Sequence, residues 1–362
     1  MWHTIRQALD ARAGLNVILS TDDEEIASVG REENATVILR PPHLAEDTTP
    51  TEPVLRHAVA SWEKATGRTV DVIILLQPTS PIRKKGRIDE AIDLFFHSGA
   101  GSLVSVCEDR SFFWRKQGGE LAALYDYKQR PRRQDVKEGL YRENGSIYIT
   151  RREIVMEEGG NRLGGKIVPL VMSAEESVEV DTEYDLWLCR QIFERLSEAD
   201  RRERLKNIRL FALDADGVMT NGQVFVDENG NEMKAFSVID GHGFTLLRER
   251  GIPVSIITRE KTSILDSRAR KLGVIDLING VADKAQALRE VAKRHGVSMG
   301  QILYMGDDLP DIPAMELAGF AAAVPNARSE VRKKAHYVTT ARGGEGAVRE
   351  VIDRLLEARD AA

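Results

Sequence analysis

The sequence predicts an α/β protein of two domains, each a mostly parallel, Rossmann-like sheet flanked by helices. Short apolar runs alternate with segments of helical periodicity along the whole chain, which is typical of parallel sheets joined by helices. The length of 362 residues allows two ordinary domains with separate cores. An almost wholly polar stretch, 197–206, divides the halves. We therefore expect domains over 1–196 and 208–362, joined by a linker over 197–207.

The first half contains apolar runs that predict strands, because each is short and bounded by turn-forming residues. These runs are 15–20, 70–76, 102–106 and 146–149. Apolar residues recur with helical spacing in the segments 4–11, 53–65 and 88–96. A charged, apolar-periodic segment, 184–204, predicts a helix that leads into the linker.

The second half begins with an apolar run, 208–213, that predicts a buried strand. A segment rich in glycine and asparagine, 222–236, predicts a hairpin. A helix over 243–250 and a strand over 253–258 follow, and further helix and strand patterns continue to about residue 343. This order again predicts a parallel sheet.

Composition excludes several classes of protein. Hydrophobic residues make up 42% and charged residues 30% of the chain, so we expect a soluble globular protein. The formal net charge of -6, without a basic block, argues against binding to nucleic acid or to a membrane surface. Cys107 and Cys189 form neither a disulfide framework nor a zinc ligand set, which favours a reducing cytoplasm. We find no bilayer-spanning apolar run and no signal-peptide pattern.

Two predicted strands end in aspartates. Asp214 and Asp216 follow the run 208–213, and Asp307 and Asp308 follow a later apolar run. Open α/β sheets place their active sites at the carboxyl ends of strands, so we expect these side chains to meet. Like charges this close are costly unless a cation or a proton offsets them. The pattern predicts one Mg²⁺ site for phosphate chemistry, with Asp214, Asp216 and Asp307 as metal-binding residues.

The residues at these element ends suit the hydrolysis of a phosphate monoester through an aspartyl-phosphate. Asp214 would be the nucleophile, and Asp216 would protonate the leaving alcohol and then activate water. Thr258 and Lys284 would neutralise the phosphoryl oxygens, while Asp307 would hold Mg²⁺. Singly, each of these residues is more often a turn, a cap or a structural group. Their order and their shared position at element ends favour catalysis.

The motifs of 208–356 resemble those of the haloacid-dehalogenase-superfamily phosphatases. They are most similar to the small-cap branch that includes 3-deoxy-manno-octulosonate 8-phosphate phosphatase. The marker motifs are Asp214-Ala-Asp216-Gly-Val-Met-Thr220-Asn-Gly222, Asp240-Gly241-His-Gly243, Gly306-Asp307-Asp308-Leu-Pro-Asp311 and Gly343-Gly344-Glu-Gly346-Ala-Val-Arg349-Glu350. The resemblance implies a phosphorylated sugar acid as substrate, with Thr220, Asp240, Gly241 and Asp308 among the substrate-binding residues.

The same resemblance implies an oligomer. The cap of this branch is only a β-hairpin, here 223–235, and such a small cap cannot close the site. Subunits of the family therefore assemble as homotetramers and cover one another. The glycine-rich tail, including Arg342, would then reach the active site of a neighbouring subunit.

One departure from the octulosonate phosphatases bears on the substrate. Those enzymes resemble Thr-Gly-Arg where this chain has Thr258-Arg259-Glu260. Glu260 together with Lys271 resembles the branch that acts on nine-carbon sugar acid 9-phosphates. A carboxylate and an ammonium offer different partners from a guanidinium fork, so we expect a nonulosonate 9-phosphate. The alternative is that Glu260 and Lys271 belong to a solvated helix face.

A second motif lies in the first half, where a predicted buried strand enters the turn Gln77-Pro-Thr-Ser80-Pro-Ile-Arg83. Such a turn can hydrogen-bond a base or a sugar while Arg83 meets phosphate; alone, it could also be an ordinary loop after a strand. Together with other segments, the turn resembles the sialic acid and related sugar-acid cytidylyltransferases over 1–193. The resemblance implies CTP as a partner and a site that comprises Gln77, Ser80, Arg83, Arg133, Gln134, Asn144, Glu179 and Asp181.

Two departures affect this second resemblance. The family opens with a central strand and a glycine-rich basic loop that holds the CTP phosphates, whereas this sequence starts inside the first helix. We therefore expect unpaired edges on the strands near Leu15 and Val70. The metal-binding Asp-x-Asp of the family also appears here as Glu179-Val180-Asp181. The sequence predicts weak or absent cytidylyltransferase activity.

Three hypotheses follow. The first is a working Mg²⁺-dependent phosphatase joined to a degenerate transferase domain. The second is a bifunctional enzyme with both activities. The third is a phosphatase-like module that only tetramerises a transferase, which the complete set Asp214, Asp216, Thr258, Lys284 and Asp307 disfavours.

Overall fold

The computed structural model describes residues 1–136 and 139–361, and the chain divides into two compact units, Met1–Phe193 and Glu194–Ala362. Each unit combines β-sheet with flanking helices, which confirms the predicted α/β class. Within the described ranges, no helix combines the length and apolarity needed to cross a lipid bilayer.

The first unit begins with a short helix and then alternates between strands and helices. Its strands are β1 (Ile18–Thr21), β2 (Thr36–Leu39), β3 (Val72–Leu76), β4 (Ser102–Asp109), β5 (Trp114–Gln117), β6 (Glu120–Ala123), β7 (Leu140–Arg151) and β8 (Ile167–Met172). Its helices are α1 (Trp2–Leu9), α2 (Glu24–Glu32), α3 (Thr51–Thr66), α4 (Arg87–Ser98) and α5 (Arg152–Met156), and α6 (Glu183–Lys206) starts near its end.

The strands of the first unit form separate sheets. β1 pairs with β2 in a parallel two-stranded sheet, and β3 is the edge of a four-stranded sheet ordered β3-β7-β4-β8. β7 runs antiparallel to both β3 and β4, while β4 and β8 are parallel. β5 and β6 form a hairpin. β1 and β3 thus belong to different sheets.

The polar stretch 197–206 is helical rather than an irregular linker, because α6 runs through it to Lys206. The stretch consists mostly of strong helix formers. Ion pairs between neighbouring turns also support the helix: Arg201 lies 2.9 Å from Glu198, and Arg204 lies 2.6 Å from Asp200. Polarity alone therefore does not separate a linker from an exposed helix.

The second unit alternates strands and helices around one large hydrophobic core. Its strands are β9 (Leu210–Leu213), β10 (Phe225–Val226), β11 (Glu232–Met233), β12 (Val254–Ile257), β13 (Asp276–Ile278), β14 (Ile302–Gly306), β15 (Phe320–Ala323) and β16 (Tyr337–Val338). Its helices are α7 (Val238–Glu249), α8 (Ser263–Leu272), α9 (Lys284–His295), α10 (Ile312–Leu317), α11 (Ser329–Lys334) and α12 (Ala347–Asp360).

The main sheet of the second unit is six-stranded and parallel, in the order β13-β12-β9-β14-β15-β16. Every residue of the central strand β9 is buried, as expected for a parallel sheet covered by helices on both faces. β9 lies between β12 and β14. The strands that follow β9 in sequence first extend the sheet on one side, through β12 and β13, and then on the other side, from β14 to β16. Ligands bind at the carboxyl ends of strands at such a switch point. The small antiparallel hairpin β10–β11 is inserted directly after β9.

Candidate active site

The register of the central strands brings the predicted catalytic residues to one edge. Leu213 of β9 pairs with Ile256 of β12 on one side and with Met305 of β14 on the other. Asp214, Thr258 and Asp307 therefore all come one or two residues after this level, at the carboxyl edge of the sheet. The backbone N–H of Asp214 donates to the carbonyl of Met305 at 2.9 Å, which continues the ladder to the edge.

A buried acidic cluster occupies this edge. Carboxylate oxygens of Asp214, Asp307 and Asp311 all lie within 4.8 Å of one another. Lys284 is the first residue of α9, which Asp283 caps by accepting the N–H of Gln286. The Lys284 Nζ lies 2.9 Å from Asp214 Oδ2 and 2.6 Å from Asp311 Oδ1. One ammonium thus faces three carboxylates.

Burial and the excess of negative charge together raise the pKa values of the carboxylates Asp214 and Asp307. Burial and the neighbouring Asp311 raise the pKa of Asp214 to about 7, although Lys284 acts in the opposite direction. Burial, Asp214 and Asp311 raise the pKa of Asp307 to about 8. Burial lowers the pKa of Lys284, but Asp214 and Asp311 outweigh this and the net shift is upwards.

These residues fit a divalent cation. Asp214 Oδ1 and Asp307 Oδ1 are buried and have no hydrogen-bond partner among the described residues. Buried oxygens of this kind are rare unless an ion or water binds them. Mg²⁺ prefers carboxylate oxygens, and a double positive charge would offset the repulsion that raises both pKa values. Asp214 and Asp307 are therefore the metal ligands that the geometry supports best.

Asp311 organises this cluster, although its sequence position alone did not predict a site residue. It is fully buried and accepts hydrogen bonds from the Tyr304 hydroxyl at 2.8 Å and from the backbone N–H groups of Asp307 and Asp308 at 3.1 Å. It thereby orients the loop that carries Asp307. Its position four residues after Asp307, in a turn-like segment, is the sequence feature that could have indicated this role.

The side chain of Asp216 lies outside the cluster of Asp214, Asp307 and Asp311, and its role as a metal ligand stays a prediction. Its two oxygens accept hydrogen bonds from Lys234 Nζ at 2.9 and 3.0 Å, and Lys234 also donates to Glu260. Burial acts to raise the pKa of Asp216, but its hydrogen bonds with Glu260 and Lys234 lower it below the ordinary value. The hydrogen bond with Asp216 raises the pKa of Glu260. No sequence signal distinguished Lys234.

The loop after Asp216 is shaped by a glycine and a threonine. Gly217 has a φ of +80°, and a Cβ at this position would overlap the carboxylate of Asp307. The buried Thr220 hydroxyl accepts the backbone N–H groups of Gly217 and Gly222 at 3.2 Å and donates to Asp216 Oδ1 at 3.5 Å. Thr220 therefore positions Asp216 from inside the loop.

Other predicted substrate-binding residues have structural roles here. The carboxylate of Asp240 caps α12 by accepting the N–H groups of Gly346 at 3.3 Å and Arg349 at 2.8 Å, and its assignment to the substrate stays a prediction. Gly241 makes room for α8, because a Cβ there would lie 2.9 Å from an Arg268 nitrogen.

The remaining predicted residues differ in their position. Glu260 borders Asp216, but Lys271 is exposed at the end of α8 and makes no hydrogen bond or ion pair within the described chain. Asp308 is exposed and caps the turn that leads to Asp311. Arg342 is exposed and directly precedes Gly343, whose backbone contacts the carbonyl of Gly217 in the same chain.

Several transferase-like residues converge around Gly145 in the first unit. A Cβ on Gly145 would overlap Glu179 Oε1 and would lie 2.6 Å from Gln77 Oε1 and 2.9 Å from Ser80 Oγ. Asn144 is fully buried and bonded to surrounding serines. Burial and the nearby Asp181 raise the pKa of Glu179.

Arg83 is hydrogen-bonded inside the fold, and its role as a phosphate ligand stays a prediction. Its guanidinium donates to Thr4, Gln7 and the backbone carbonyls of Gln77 and Ser146. Burial lowers the pKa of Arg83 to about 10. The exposed Arg133 donates to Ser111 Oγ at 2.8 Å and lines a shallow surface depression with Glu108, Arg110 and Gln134.

Comparison with family models divides the chain in the same way. Residues 1–157 match a cytidylyltransferase model, and residues 254–352 match a haloacid dehalogenase-like hydrolase model. The N-acylneuraminate cytidylyltransferase A of Danio rerio is 28% identical over 358 residues, which cover 97% of this chain and 81% of the relative. Both predicted halves are therefore present in one known protein.

The second unit has more similar relatives. The 3-deoxy-D-manno-octulosonate 8-phosphate phosphatase KdsC of Yersinia pestis is 43% identical over 158 residues, 44% of this chain and 84% of the relative. The solved structure of the corresponding phosphatase from Moraxella catarrhalis, in complex with a magnesium ion, a phosphate ion and a KDO molecule, is 41% identical. The match covers 45% of this chain and 95% of that one, with a TM-score of 0.44. The chain thus belongs to the haloacid dehalogenase-like phosphatases of the 3-deoxy-D-manno-octulosonate 8-phosphate phosphatase family, fused to an N-terminal cytidylyltransferase domain, as the two resemblances predicted.

Proposed function

We propose that the second unit hydrolyses the phosphate monoester of a phosphorylated sugar acid, with Mg²⁺ as cofactor. The observation that carries this proposal is the state of Asp214. One of its oxygens contacts Lys284 at 2.9 Å, and the other is buried without a hydrogen bond beside Asp307. A carboxylate held in this way can approach phosphorus, while the cations beside it neutralise an anionic substrate.

The residues suit two successive displacements at phosphorus. Asp214 attacks the phosphorus, the bond to the sugar oxygen breaks, and Asp216, protonated when the substrate is bound, gives that oxygen its proton. Asp216 then takes a proton from water, which attacks the aspartyl-phosphate and releases inorganic phosphate and free Asp214. Lys284 and Thr258 stabilise the phosphoryl oxygens throughout. Mg²⁺, held by Asp214 and Asp307, would supply further charge stabilisation at phosphorus.

We propose a nonulosonate 9-phosphate as the substrate. Glu260 borders the proton donor Asp216, where a carboxylate can accept hydrogen bonds from sugar hydroxyls. The first unit supports the same choice, because a relative that spans both units is named for N-acylneuraminate. The alternative is an octulosonate 8-phosphate, which the similarity of the second unit to KdsC favours.

A side-by-side assay of the full chain with both phosphates tests the reaction and the substrate together. We expect Mg²⁺-dependent phosphate release with the higher kcat/KM for the nine-carbon ester. Asp214→Asn should lower kcat by at least about 10³-fold, as loss of a nucleophile does elsewhere. Asp266→Asn, an exposed aspartate on α8, is the matched control and should retain activity. Retained activity in Asp214→Asn would refute the nucleophile, and a preference for the octulosonate ester would refute the substrate.

A cytidylyltransferase activity of the first unit is the second candidate function. Gln77, Ser80 and Glu179 converge around Gly145, and this convergence supports a retained sugar or nucleotide site. Hydrogen bonds hold the Nη1 and Nη2 groups of Arg83 inside the fold, which weighs against efficient binding of the CTP phosphates. We therefore propose that this activity is weak or absent.

We also propose that the chain forms a homotetramer through the second unit. The hairpin β10–β11 and the start of α7 expose apolar side chains that a monomer would leave in water: Phe225, Val226, Met233, Val238 and Ile239 are between 56% and 82% exposed. A module that only tetramerises remains the third hypothesis, and the complete acidic cluster weighs against it.

A further inference from the structure

The hairpin β10–β11 reaches the active site through one side chain. Residues 221–233 and Ala235 are all exposed, whereas the side chain of Lys234 is only 2% exposed. Its Nζ lies 2.9 Å from Asp216 Oδ1 and 3.0 Å from Oδ2, and it also donates to Glu260. In the described chain, no other side chain of 224–235 hydrogen-bonds outside the hairpin. Lys234 therefore links the hairpin to the proton-transfer carboxylate.

The charges of the site fall into two groups, each with one lysine. Lys284 contacts Asp214 and Asp311 on the side of the nucleophile. Lys234 contacts Asp216 and Glu260 on the side of the leaving group. Without Lys234, these two carboxylates would be neighbours with no cation between them, and like charges at this separation repel. The long hydrogen bond from Thr220 at 3.5 Å would then restrain Asp216 Oδ1 only weakly.

We propose that Lys234 is a positioning residue of the phosphatase, which fixes the Asp216 carboxylate for proton transfer and ties that carboxylate to the hairpin. The proposal rests on the phosphatase function proposed above. Contact with both oxygens of Asp216 restrains the rotation of its carboxylate, and proton transfer requires hydrogen-bond reach of the leaving oxygen. A misplacement of about 1 Å can cost about 10²-fold in rate, so a single ion pair is sufficient to matter.

The choice of substrate separates positioning of Asp216 from general damage. A sugar phosphate has a poor leaving group that needs a proton from Asp216. An aryl phosphate such as p-nitrophenyl phosphate leaves as a stable anion without one. The ratio kcat/KM contains only the steps up to the first irreversible one, so it isolates departure of the leaving group from the later hydrolysis.

The experiment compares Lys234→Met, Lys234→Arg and the control Lys293→Met, an exposed lysine on α9, in the full chain with Mg²⁺. We expect Lys234→Met to lower kcat/KM for the sugar acid phosphate by about 10²-fold and for the aryl phosphate by less than about threefold. Lys234→Arg keeps the charge and should recover most of the loss. Lys293→Met should match the wild type.

Each other outcome contradicts the proposal. Unchanged kcat/KM in Lys234→Met, with an active wild type, would overturn the role of Lys234 alone. An equal loss with both substrates, or no recovery in Lys234→Arg, would assign Lys234 a structural role instead. A wild type that hydrolyses neither substrate would overturn the proposed function itself. Thermal unfolding of each variant, monitored by circular dichroism, should be unchanged within about 3 °C, which for a unit of this size is about 1 kcal/mol.

Discussion

Single residues in the site lower the stability of the fold unless a ligand binds them. Asp214 and Asp307 are buried beside Asp311, and each keeps an oxygen without a hydrogen bond in the described structure. Desolvated carboxylates of this kind oppose folding unless they bind a proton or a cation. Binding of the metal and stability of the second unit are therefore linked through the same two side chains.

This linkage predicts a pH-dependent stability of the metal-free protein. The pKa values of Asp214 and Asp307 are raised to about 7 and about 8, so their protonated forms favour the folded state. That stabilisation is complete below the ordinary carboxyl range and is lost as the pH rises through 7 to 8. In EDTA, we expect the Tm of the second unit to fall by at least about 3 °C between about pH 6 and about pH 9.

Added Mg²⁺ should reverse the trend, because it replaces the lost protons. The Tm increase on adding Mg²⁺ should be larger at about pH 9 than at about pH 6. Calorimetry with EDTA and with Mg²⁺ measures both quantities. The double variant Asp214→Asn, Asp307→Asn serves as the control and should lose both the pH trend and the Mg²⁺ effect. An Mg²⁺ effect of equal size at both pH values would contradict the linkage.

Among the elements, the hairpin β10–β11 is the least supported by its own unit. It is two residues long on each strand and is anchored to the site by Lys234, while its apolar side chains face outwards. Two-stranded hairpins are marginally stable alone, so a covering surface is needed. A second copy of the same hairpin presents such a surface.

The tetramer proposal predicts that a charge on this hairpin disrupts assembly. Phe225→Asp should shift the chain from tetramer towards smaller species, since a buried carboxylate would face apolar neighbours in each copy. Multi-angle light scattering measures the change in mass. Phe96→Asp is the matched control, because Phe96 is 58% exposed on α4 of the other unit, and Phe225 is 56% exposed. If Phe225→Asp and the wild type have the same mass, the hairpin is not the interface.

At the scale of the whole molecule, sequence patterns predicted the features that depend on the order of neighbouring residues along the chain. Alternating periods gave both α/β units, and the Asp-tipped strands gave the site, because parallel strands place their carboxyl ends on one edge. Long-range partners were not predictable in this way. Asp240 meets Arg349 across 109 positions, and Arg83 meets Thr4 across 79. Nothing near either residue indicates that its side chain is occupied within the fold.

The two units are predicted to differ in activity when the intact chain is assayed for both reactions. We expect phosphate release from the sugar acid phosphate but little pyrophosphate release from CTP and the free sugar acid. The physical reason is that the Nη1 and Nη2 groups of Arg83 are hydrogen-bonded inside the fold and that β1 and β3 belong to separate sheets. Glu179→Gln is the control that defines the background, since it removes the predicted metal carboxylate. Robust pyrophosphate release above this background would establish the bifunctional alternative.

The contact between Gly343 and Gly217 means that two segments distant in sequence constrain each other's side chains. A Cβ on Gly343 would lie 1.8 Å from the carbonyl oxygen of Gly217, so no side chain fits between the two loops, and the N–H of Gly344 donates to the carbonyl of Val218 at 3.0 Å. Changes that enlarge the nucleophile loop must therefore be accompanied by changes more than a hundred residues later. For protein engineering, an insertion just before Gly343 would disturb this contact and with it the loop that follows Asp216.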